Sequence, residues 1–288
     1  MALFKKKKET QPPEPQWFTS VTNLPTYNYK VYYMSKLEKI LYFLLAFAIG
    51  AVVGYLFYGG LGRDEFGQRT TLSWILDISI PGIVGLVAGR IFVPARTKQI
   101  RDKNARTLNS QFRDFLEAFN TSIGAGKNVV DSFHAVYDDM RIQFEEDAFI
   151  VKELEVILSG MANNFDVEDL MEDLGNRSGN DDIVSFANVF RISYRKGGNL
   201  KDTINTTHSI LSDKMEIKEE IETMVSASKM EQTVMIFMPV GLIGIMKSMS
   251  PDFAANFATP AGIASTTIAI GLFIVSYFVG RKILNIKL

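Results

Sequence analysis

The chain has 288 residues, of which 47% are hydrophobic and 22% are charged, and its mean hydropathy is +0.08. These intermediate values are typical of a protein divided between lipid and water. The absence of cysteine excludes disulfides, thiol nucleophiles and cysteine-based metal clusters. The two histidines are too few for a multi-histidine metal site unless carboxylates supply most of the ligands. We expect neither a metal nor another cofactor.

The N-terminal segment, residues 1–39, is basic and contains prolines. Four consecutive lysines at positions 5–8 are followed by Pro12, Pro13 and Pro15 rather than by an apolar core. The sequence therefore predicts that this segment is not a cleaved signal peptide. We expect its lysines to lie at anionic lipid headgroups, where each basic residue contributes about 1 kcal/mol.

Residues 40–93 are predicted to form a first transmembrane hairpin. Residues 40–58 carry no charge and are long enough to cross a hydrocarbon core of about 30 Å. Residues 72–93 are also apolar, although they include Asp77 and Arg90. These charges lie toward the ends of the span, where side chains can reach water.

The next segment, residues 94–232, is predicted to be a soluble helical domain. From Asp131 to Asp182 there are fifteen Asp and Glu against three Lys and Arg, a net charge of −12 in a chain whose total is −1. Apolar residues recur at helical spacing in six stretches, so a six-helix bundle is expected. The expected buried stripe of the sixth helix consists of Ile210, Ile217, Ile221 and Met224.

The corners between these helices are marked by glycine, Asn and Asp. Residues 124–126 are predicted to end the first helix, since glycine takes the left-handed conformation of a C-cap. Asn128 is expected to cap the second helix, with Asp131 three residues later. Asp166 and Asp169 repeat that spacing at a later corner.

The last corner precedes an unusually long helix. Gly197 and Gly198 are predicted to end the fifth helix, and Asn199 to start the sixth. The sequence then shows no helix stop before Pro251, only an internal Pro239. A continuous helix over this distance would be about 75 Å long at 1.5 Å per residue.

Residues 233–288 are predicted to form a second transmembrane hairpin followed by a basic tail. Its spans are residues 234–249, which include Lys247, and residues 262–280, which are uncharged. Charged residues within spans are candidates for function. Asp77 and Lys247 therefore form a possible intramembrane pair, although both lie near a span end and can reach water instead.

The distribution of Lys and Arg predicts the orientation in the membrane. Basic residues are concentrated before the first span, in residues 96–106 and in the tail, whereas loops 59–71 and 250–261 hold only Arg63 and Arg69. We therefore expect both termini and the central domain on the cytoplasmic side of the cell (inner) membrane. Residues 96–106 lack interleaved aromatic residues, which favours contact with lipid over contact with nucleic acid.

Three short motifs resemble a known family. The first is residues 122–126 (Ser-Ile-Gly-Ala-Gly), the second is Arg177, and the third is residues 195–200 (Arg-Lys-Gly-Gly-Asn-Leu). They resemble the F-domain platform proteins of type II secretion systems and type IV pili. One such domain between two membrane hairpins is similar to the Tad (tight adherence, Flp pilus) platform proteins, TadB and TadC. The resemblance covers residues 107–288, and the first hairpin fits by topology alone.

This resemblance implies a non-enzymatic role in the inner membrane. Such platforms couple a hexameric secretion ATPase to the extraction of pilin subunits and fibre assembly, together with a second platform protein or further copies of the same chain. Two other classes are compatible with the sequence. One is a membrane-anchored helical adaptor or signalling protein that binds a soluble partner. The other is a small transporter or membrane enzyme, which the scarcity of polar residues in the spans and the lack of a catalytic set disfavour.

Two further groups of residues are functional candidates. The family motif and its structural corners consist of Gly124, Gly126, Arg177, Gly197, Gly198 and Asn199. The glycines act either as simple caps or as part of an ATPase contact. Arg177 is expected to bridge carboxylates such as Asp173 or Asp181, with contact to a partner as the alternative. The acidic surface either docks a basic face of a partner through its field or is only solvated. Its members are Asp138, Asp139, Glu145, Glu146, Asp147, Glu168, Asp169, Glu172 and Asp173.

Overall fold

The structure, a computed structural model, describes residues 14–19, 24–62, 68–196 and 200–284, and these residues are almost entirely helical. Two short strands, β1 (Trp17–Thr19) and β2 (Pro25–Tyr27), pair in antiparallel fashion with Phe18 opposite Thr26. The helices are α1 (Lys36–Tyr58), α2 (Thr71–Gly124), α3 (Val129–Gln143), α4 (Phe149–Ala162), α5 (Val167–Ser178), α6 (Asp181–Lys196), α7 (Leu200–Met249), α8 (Pro251–Phe257) and α9 (Pro260–Leu284).

The chain divides into two compact units. Unit 1 consists of Met1–Tyr33 and Thr97–Met215, and unit 2 consists of Met34–Arg96 and Glu216–Leu288. Helices α2 and α7 each contain residues of both units. The continuous course of α7 to Met249, with Pro239 inside it, confirms the predicted long helix.

Unit 1 is built around one hydrophobic core. Buried side chains come from α2, α3, α4, α5, α6 and the start of α7, in agreement with six amphipathic stretches. Aromatic rings fill its centre, and each large side chain contributes about 1.5–3 kcal/mol through burial. The rings with less than 2% exposure are Phe112, Phe115, Phe119, Phe133, Phe186 and Phe190.

The face that α7 buries differs from the prediction. Ile204, Leu211 and Met215 are the buried residues of this helix, whereas the side chains of Ile210, Ile217 and Met224 are 61%, 58% and 68% exposed. Both sets recur at helical spacing, so periodicity alone does not determine which stripe meets the core. Which stripe is buried depends on the contacts that α7 makes in the folded chain.

The predicted corner between α2 and α3 is confirmed, whereas the capping hydrogen bond expected at Asp166 is different. Helix α2 ends at Gly124, and Gly126 has a φ of 88°, which only glycine adopts without strain. The side chain of Asn128 accepts a hydrogen bond from the Asp131 amide at 2.8 Å. Asp166 is the N-cap of α5, but its side chain makes no capping hydrogen bond. Its main-chain carbonyl accepts from the amide of Asp169 instead, at 3.1 Å.

The N-terminal residues contribute to the core of unit 1. Tyr29 is only 2% exposed and belongs to the hydrophobic core. Its ring packs edge-on against Phe149 with centroids 5.2 Å apart, and Tyr27 stacks on the same ring at 6.0 Å. The strand pair and the residues that follow it are therefore a structural part of the helical domain.

Among the residues that the structure describes, four helices are long and apolar enough to cross a membrane: α1, α2, α7 and α9. They contain the four spans predicted from the sequence and indicate a membrane protein. Their large apolar side chains are mostly exposed, as in Leu41 at 66% and Leu272 at 67%. Exposed apolar surface of this extent is expected where lipid is the solvent.

Within unit 2, α1 and α2 approach each other through small residues. The buried residues of α1 are Ala46, Gly50 and Gly54. A methyl group at Gly50 would lie 2.8 Å from the Cβ of Ala88, and one at Gly85 would lie 2.7 Å from the carbonyl oxygen of Phe47. Helices in lipid pack through this kind of small-residue contact because the backbones can then come close together.

Candidate functional site

Arg177 lies near the C-terminal end of α5, and its guanidinium contacts two carboxylates. Nη1 and Nη2 donate to the two oxygens of Glu153 at 2.9 and 2.7 Å, and Nε donates to Asp173 at 2.7 Å. Nη1 also donates to the main-chain carbonyl of Tyr27 at 2.9 Å. The contact with Asp173 is one of the two that the sequence predicts. The bidentate contact with Glu153 is not predicted.

This ion pair is buried. The side chains of Arg177 and Glu153 are only 7% and 4% exposed. Burial by itself lowers the pKa of the Arg177 guanidinium, but the hydrogen bonds and negative charges of Glu153 and Asp173 more than offset this and raise the pKa overall. A buried charge pair is tolerated when its geometry satisfies the donors and acceptors on both sides. Here each guanidinium nitrogen of Arg177 donates a hydrogen bond, and both oxygens of Glu153 accept one.

Tyr29 completes the network from the N-terminal segment. Its hydroxyl donates to Oε1 of Glu153 at 3.0 Å, and its amide donates to the main-chain carbonyl of Arg177 at 3.0 Å. Burial raises the pKa of the Tyr29 phenol well above its ordinary value, and the adjacent Glu153 carboxylate raises it further. The neutral phenol is therefore the form that the fold stabilises.

The sequence contains a signal for this network that the spacing of apolar residues alone does not include. Glu153 lies three residues after Ile150 and next to Leu154 on the buried face of α4, and Arg177 lies three residues after the buried Leu174 on α5. A charged residue on an apolar stripe must be paired when the stripe is buried. Opposite charges on the buried faces of successive helices therefore indicate a buried pair. Tyr29 has no comparable signal, since it lies outside any helical pattern.

The part of the acidic surface on α5 is largely neutralised within the domain. Arg195 on α6 contacts Glu168 at 2.9 Å and Asp169 at 3.0 Å. Arg191 contacts Glu172 at 2.5 Å, and Asp173 is held by Arg177. Because α6 places arginines against α5, the charge counted along the sequence overstates the field of this surface.

The part of the acidic surface on α3 and the following turn differs from the part on α5, and we call it the acidic tip. It consists of Asp138, Asp139, Glu145, Glu146 and Asp147, all of which are exposed. Glu146 forms an ion pair with Arg141 at 3.2 Å, whereas the other four form no ion pair with any residue that the structure describes. Ile142 lies among them with 87% of its side chain exposed.

The corner residues of the family motif are only partly described. Gly124 and Gly126 lie where α2 meets α3, and the carbonyl of Gly124 accepts a hydrogen bond from Nζ of Lys201 at 2.8 Å. This contact links the first corner to the start of α7. Gly197, Gly198 and Asn199 lie outside the described residues, so their predicted role at the second corner stays a prediction.

Asp77 and Lys247 do not pair with each other. The Asp77 carboxylate accepts from the amide of Gly60 at 2.7 Å. The Lys247 ammonium donates to the carbonyls of Leu56 and Phe57 at 2.7 and 3.3 Å. Both side chains thus bond to the unsatisfied main-chain groups where α1 ends, and a cation at the C-terminal end of a helix is stabilised there. The predicted intramembrane pair is therefore wrong, and each charge has a main-chain partner.

Comparisons of the chain with protein-family models, with curated proteins and with solved structures find no match. Function therefore has to be argued from the architecture and from the side chains described above. Those side chains divide into a buried network that stabilises unit 1 and an exposed acidic tip whose charges are mostly uncompensated.

Proposed function

We propose that this protein is the inner-membrane platform of a Tad-type pilus or a related type II secretion-like machine, where it couples a cytoplasmic secretion ATPase to pilin extraction and fibre assembly. The observation that carries the proposal is one compact helical unit preceded in the sequence by two apolar helices and followed by two more. The sequence resemblance to F-domain platforms predicts the same order of elements.

The proposal includes a definite topology of two hairpins. Lys and Arg are concentrated in the termini and in residues 96–106, which supports cytoplasmic termini and a cytoplasmic unit 1. Because the chain has no cysteine, single cysteines can test this directly. Ser185→Cys on α6 should resist an impermeant maleimide in intact cells, whereas Gly67→Cys in the first loop should react. Labelling of Ser185→Cys from outside would contradict the topology.

Within this function, the acidic tip is the best supported contact for the ATPase. Four of its five exposed carboxylates form no ion pair with a residue that the structure describes, so their field acts on approaching cations, and Ile142 adds an apolar contact. Complementary charge raises the rate of association and selects the orientation of the partner. The α5 surface is a weaker candidate because Arg191 and Arg195 already compensate its charge.

Charge reversal in the native host tests both the function and the contact. Asp138→Lys with Asp139→Lys should abolish most surface fibres, seen by electron microscopy, and reduce the amount of ATPase recovered with the membranes. Protein level, measured by immunoblot, should stay normal because both residues are exposed. The matched control is Glu117→Lys with Asp213→Lys, which changes two exposed carboxylates of unit 1 outside the tip by the same charge.

The outcomes distinguish the platform function from the role of the acidic tip as the ATPase contact. Loss of fibres in the tip variant alone supports the contact. Fibres in both variants would remove the tip from the mechanism but leave the platform role intact. Normal fibres after deletion of the whole gene would show that the proposed function is wrong.

A further inference from the structure

Unit 1 contains an open groove between the N-terminal strand pair and helices α4 and α5. Its volume is about 980 Å³, which is within the range of sites that hold a ligand or a short peptide. Apolar side chains form part of its lining, among them Ile157, Leu170 and the half-exposed Phe18 and Phe165. The groove thus offers a surface on which an apolar side chain would lose contact with water.

The lining of the groove also carries a net negative charge. Four carboxylates line it, from Glu14, Asp166, Asp169 and Asp173, against two cations, from Lys30 and Arg177, which leaves a net charge of −2. Asp173 is held by Arg177 and Asp169 by Arg195. Asp166 is exposed and forms no salt bridge with any residue that the structure describes. A ligand for this groove should therefore be basic as well as partly apolar.

The chain itself carries a segment of this composition a few residues before Glu14, the first residue of the sequence that lines the groove. Residues 3–8 read Leu-Phe-Lys-Lys-Lys-Lys, so two apolar side chains are followed by four cations. Only five residues, 9–13, separate Lys8 from Glu14, which lines the groove. Five residues span at most about 18 Å. Such a short connection gives the segment an effective concentration on the order of millimolar, which favours binding within the chain over binding of a free peptide.

We propose that this groove binds the chain's own basic N-terminal segment, residues 3–8. The lysines meet the carboxylates of the lining, and the apolar residues meet Phe18 and Phe165. The same lysines bind anionic lipid headgroups when these are available, so the groove and the membrane surface compete for one segment. The proposal does not depend on the platform function, because every feature it uses belongs to unit 1 and its N-terminal residues.

A cysteine in the groove reports on its occupancy in the full-length protein. Asn176 on α5 lines the groove and is exposed, so Asn176→Cys places a thiol where a bound segment would shield it. The rate of reaction with a maleimide is measured in nanodiscs of zwitterionic lipid at low salt. The rate is then compared with that of the same protein in which Lys5, Lys6, Lys7 and Lys8 are replaced by Gln. The matched control is Asn188→Cys, an exposed asparagine on α6 outside the groove.

We expect the Lys→Gln replacement to raise the labelling rate of Asn176→Cys about threefold or more, which corresponds to roughly two-thirds occupancy. High salt should produce the same increase in the unreplaced protein by screening the charges. The rate of Asn188→Cys should not change. Equal rates at Asn176→Cys with and without the lysines would overturn the proposal. A difference that arises only in anionic nanodiscs would overturn it as well, since the lysines would then bind lipid and not the groove.

Discussion

The two units of this protein are held together by opposite kinds of residue. In unit 1, six phenylalanines are almost completely buried, and in the buried pair of Arg177 and Glu153 each guanidinium nitrogen donates a hydrogen bond. In unit 2, the residues that α1 buries are Ala46, Gly50 and Gly54, and the large apolar side chains face outward. The hydrophobic residues, 47% of the chain, therefore have two roles: large ones fill the core of unit 1, and small ones allow the helices of unit 2 to come close together.

The difference follows from the solvent that each unit requires. In water, removing large apolar side chains from the solvent is the main stabilising contribution, so the largest rings lie at the centre. In lipid this contribution is absent between helices, and close backbone approach with van der Waals contact takes its place. Substitutions that exchange large for small residues should therefore have opposite effects in the two units.

The largest effect is expected from breaking the buried ion pair of unit 1. Arg177→Met leaves the Glu153 carboxylate buried without its cation and should cost about 3–5 kcal/mol. Hydrogen exchange of α4 and α5 in the detergent-solubilised full chain measures this as a loss of protection. The double variant Arg177→Met with Glu153→Leu removes both charges and should recover most of the loss. Equal damage in the single and double variants would show that packing, not charge, holds this site.

A smaller effect is expected at Tyr29, and it depends on pH. Tyr29→Phe removes a hydrogen bond to a carboxylate, which is worth about 1.5–3 kcal/mol, and Tyr194→Phe, on an exposed ring, is the control. Because the fold raises the Tyr29 pKa, its stabilising contribution is complete below the unfolded pKa of about 10. It is lost as pH rises from there through the folded pKa.

Unfolding followed by circular dichroism at pH 8 and at pH 11 tests whether the stabilising contribution of Tyr29 falls as pH rises. The stability gap between wild type and Tyr29→Phe should narrow at the higher pH. A gap that widens would mean that the phenolate is the stabilised form, contrary to the burial of this residue.

In unit 2, adding a methyl group should destabilise only where the helices touch. Gly85→Ala places a Cβ 2.7 Å from the Phe47 carbonyl oxygen and should cost about 1–3 kcal/mol through overpacking. Gly82→Ala is the matched control on the same helix, because its Cβ would meet nothing within 4 Å. In thermal unfolding in micelles, the melting temperature of Gly85→Ala should lie below that of wild type, and that of Gly82→Ala should equal or exceed it. The reverse order would contradict the small-residue contact.

The smallest effect is expected at a helix cap of unit 1. Asn128→Ala removes the acceptor of the Asp131 amide and should cost about 1 kcal/mol. Asp166→Ala removes no side-chain capping hydrogen bond, so it should cost measurably less. The loss of hydrogen-exchange protection in the first turns of α3 and α5 measures the effects of the two substitutions. Equal loss at both helices would show that the side-chain hydrogen bond of Asn128 is not what stabilises the start of α3.

Much of the fold follows from local features of the sequence. The four apolar helices are determined by length and composition, since 19 uncharged residues at 40–58 have few alternatives to a membrane span. The corner at Gly126 and the cap at Asn128 are determined by a few adjacent residues. Each of these features depends on residues close together in the chain, so the sequence displays it directly.

The tertiary structure decided what depends on residues far apart in the chain. It chose Ile204, Leu211 and Met215 as the buried stripe of α7, although another stripe has the same period. It also brought Tyr29 to Glu153, 124 positions away, and placed the arginines of α6 against the carboxylates of α5. Burial and ion pairing are properties of surfaces that meet only after folding. The sequence alone therefore determined which helices form, and the folded chain determined which of their charges remain for a partner.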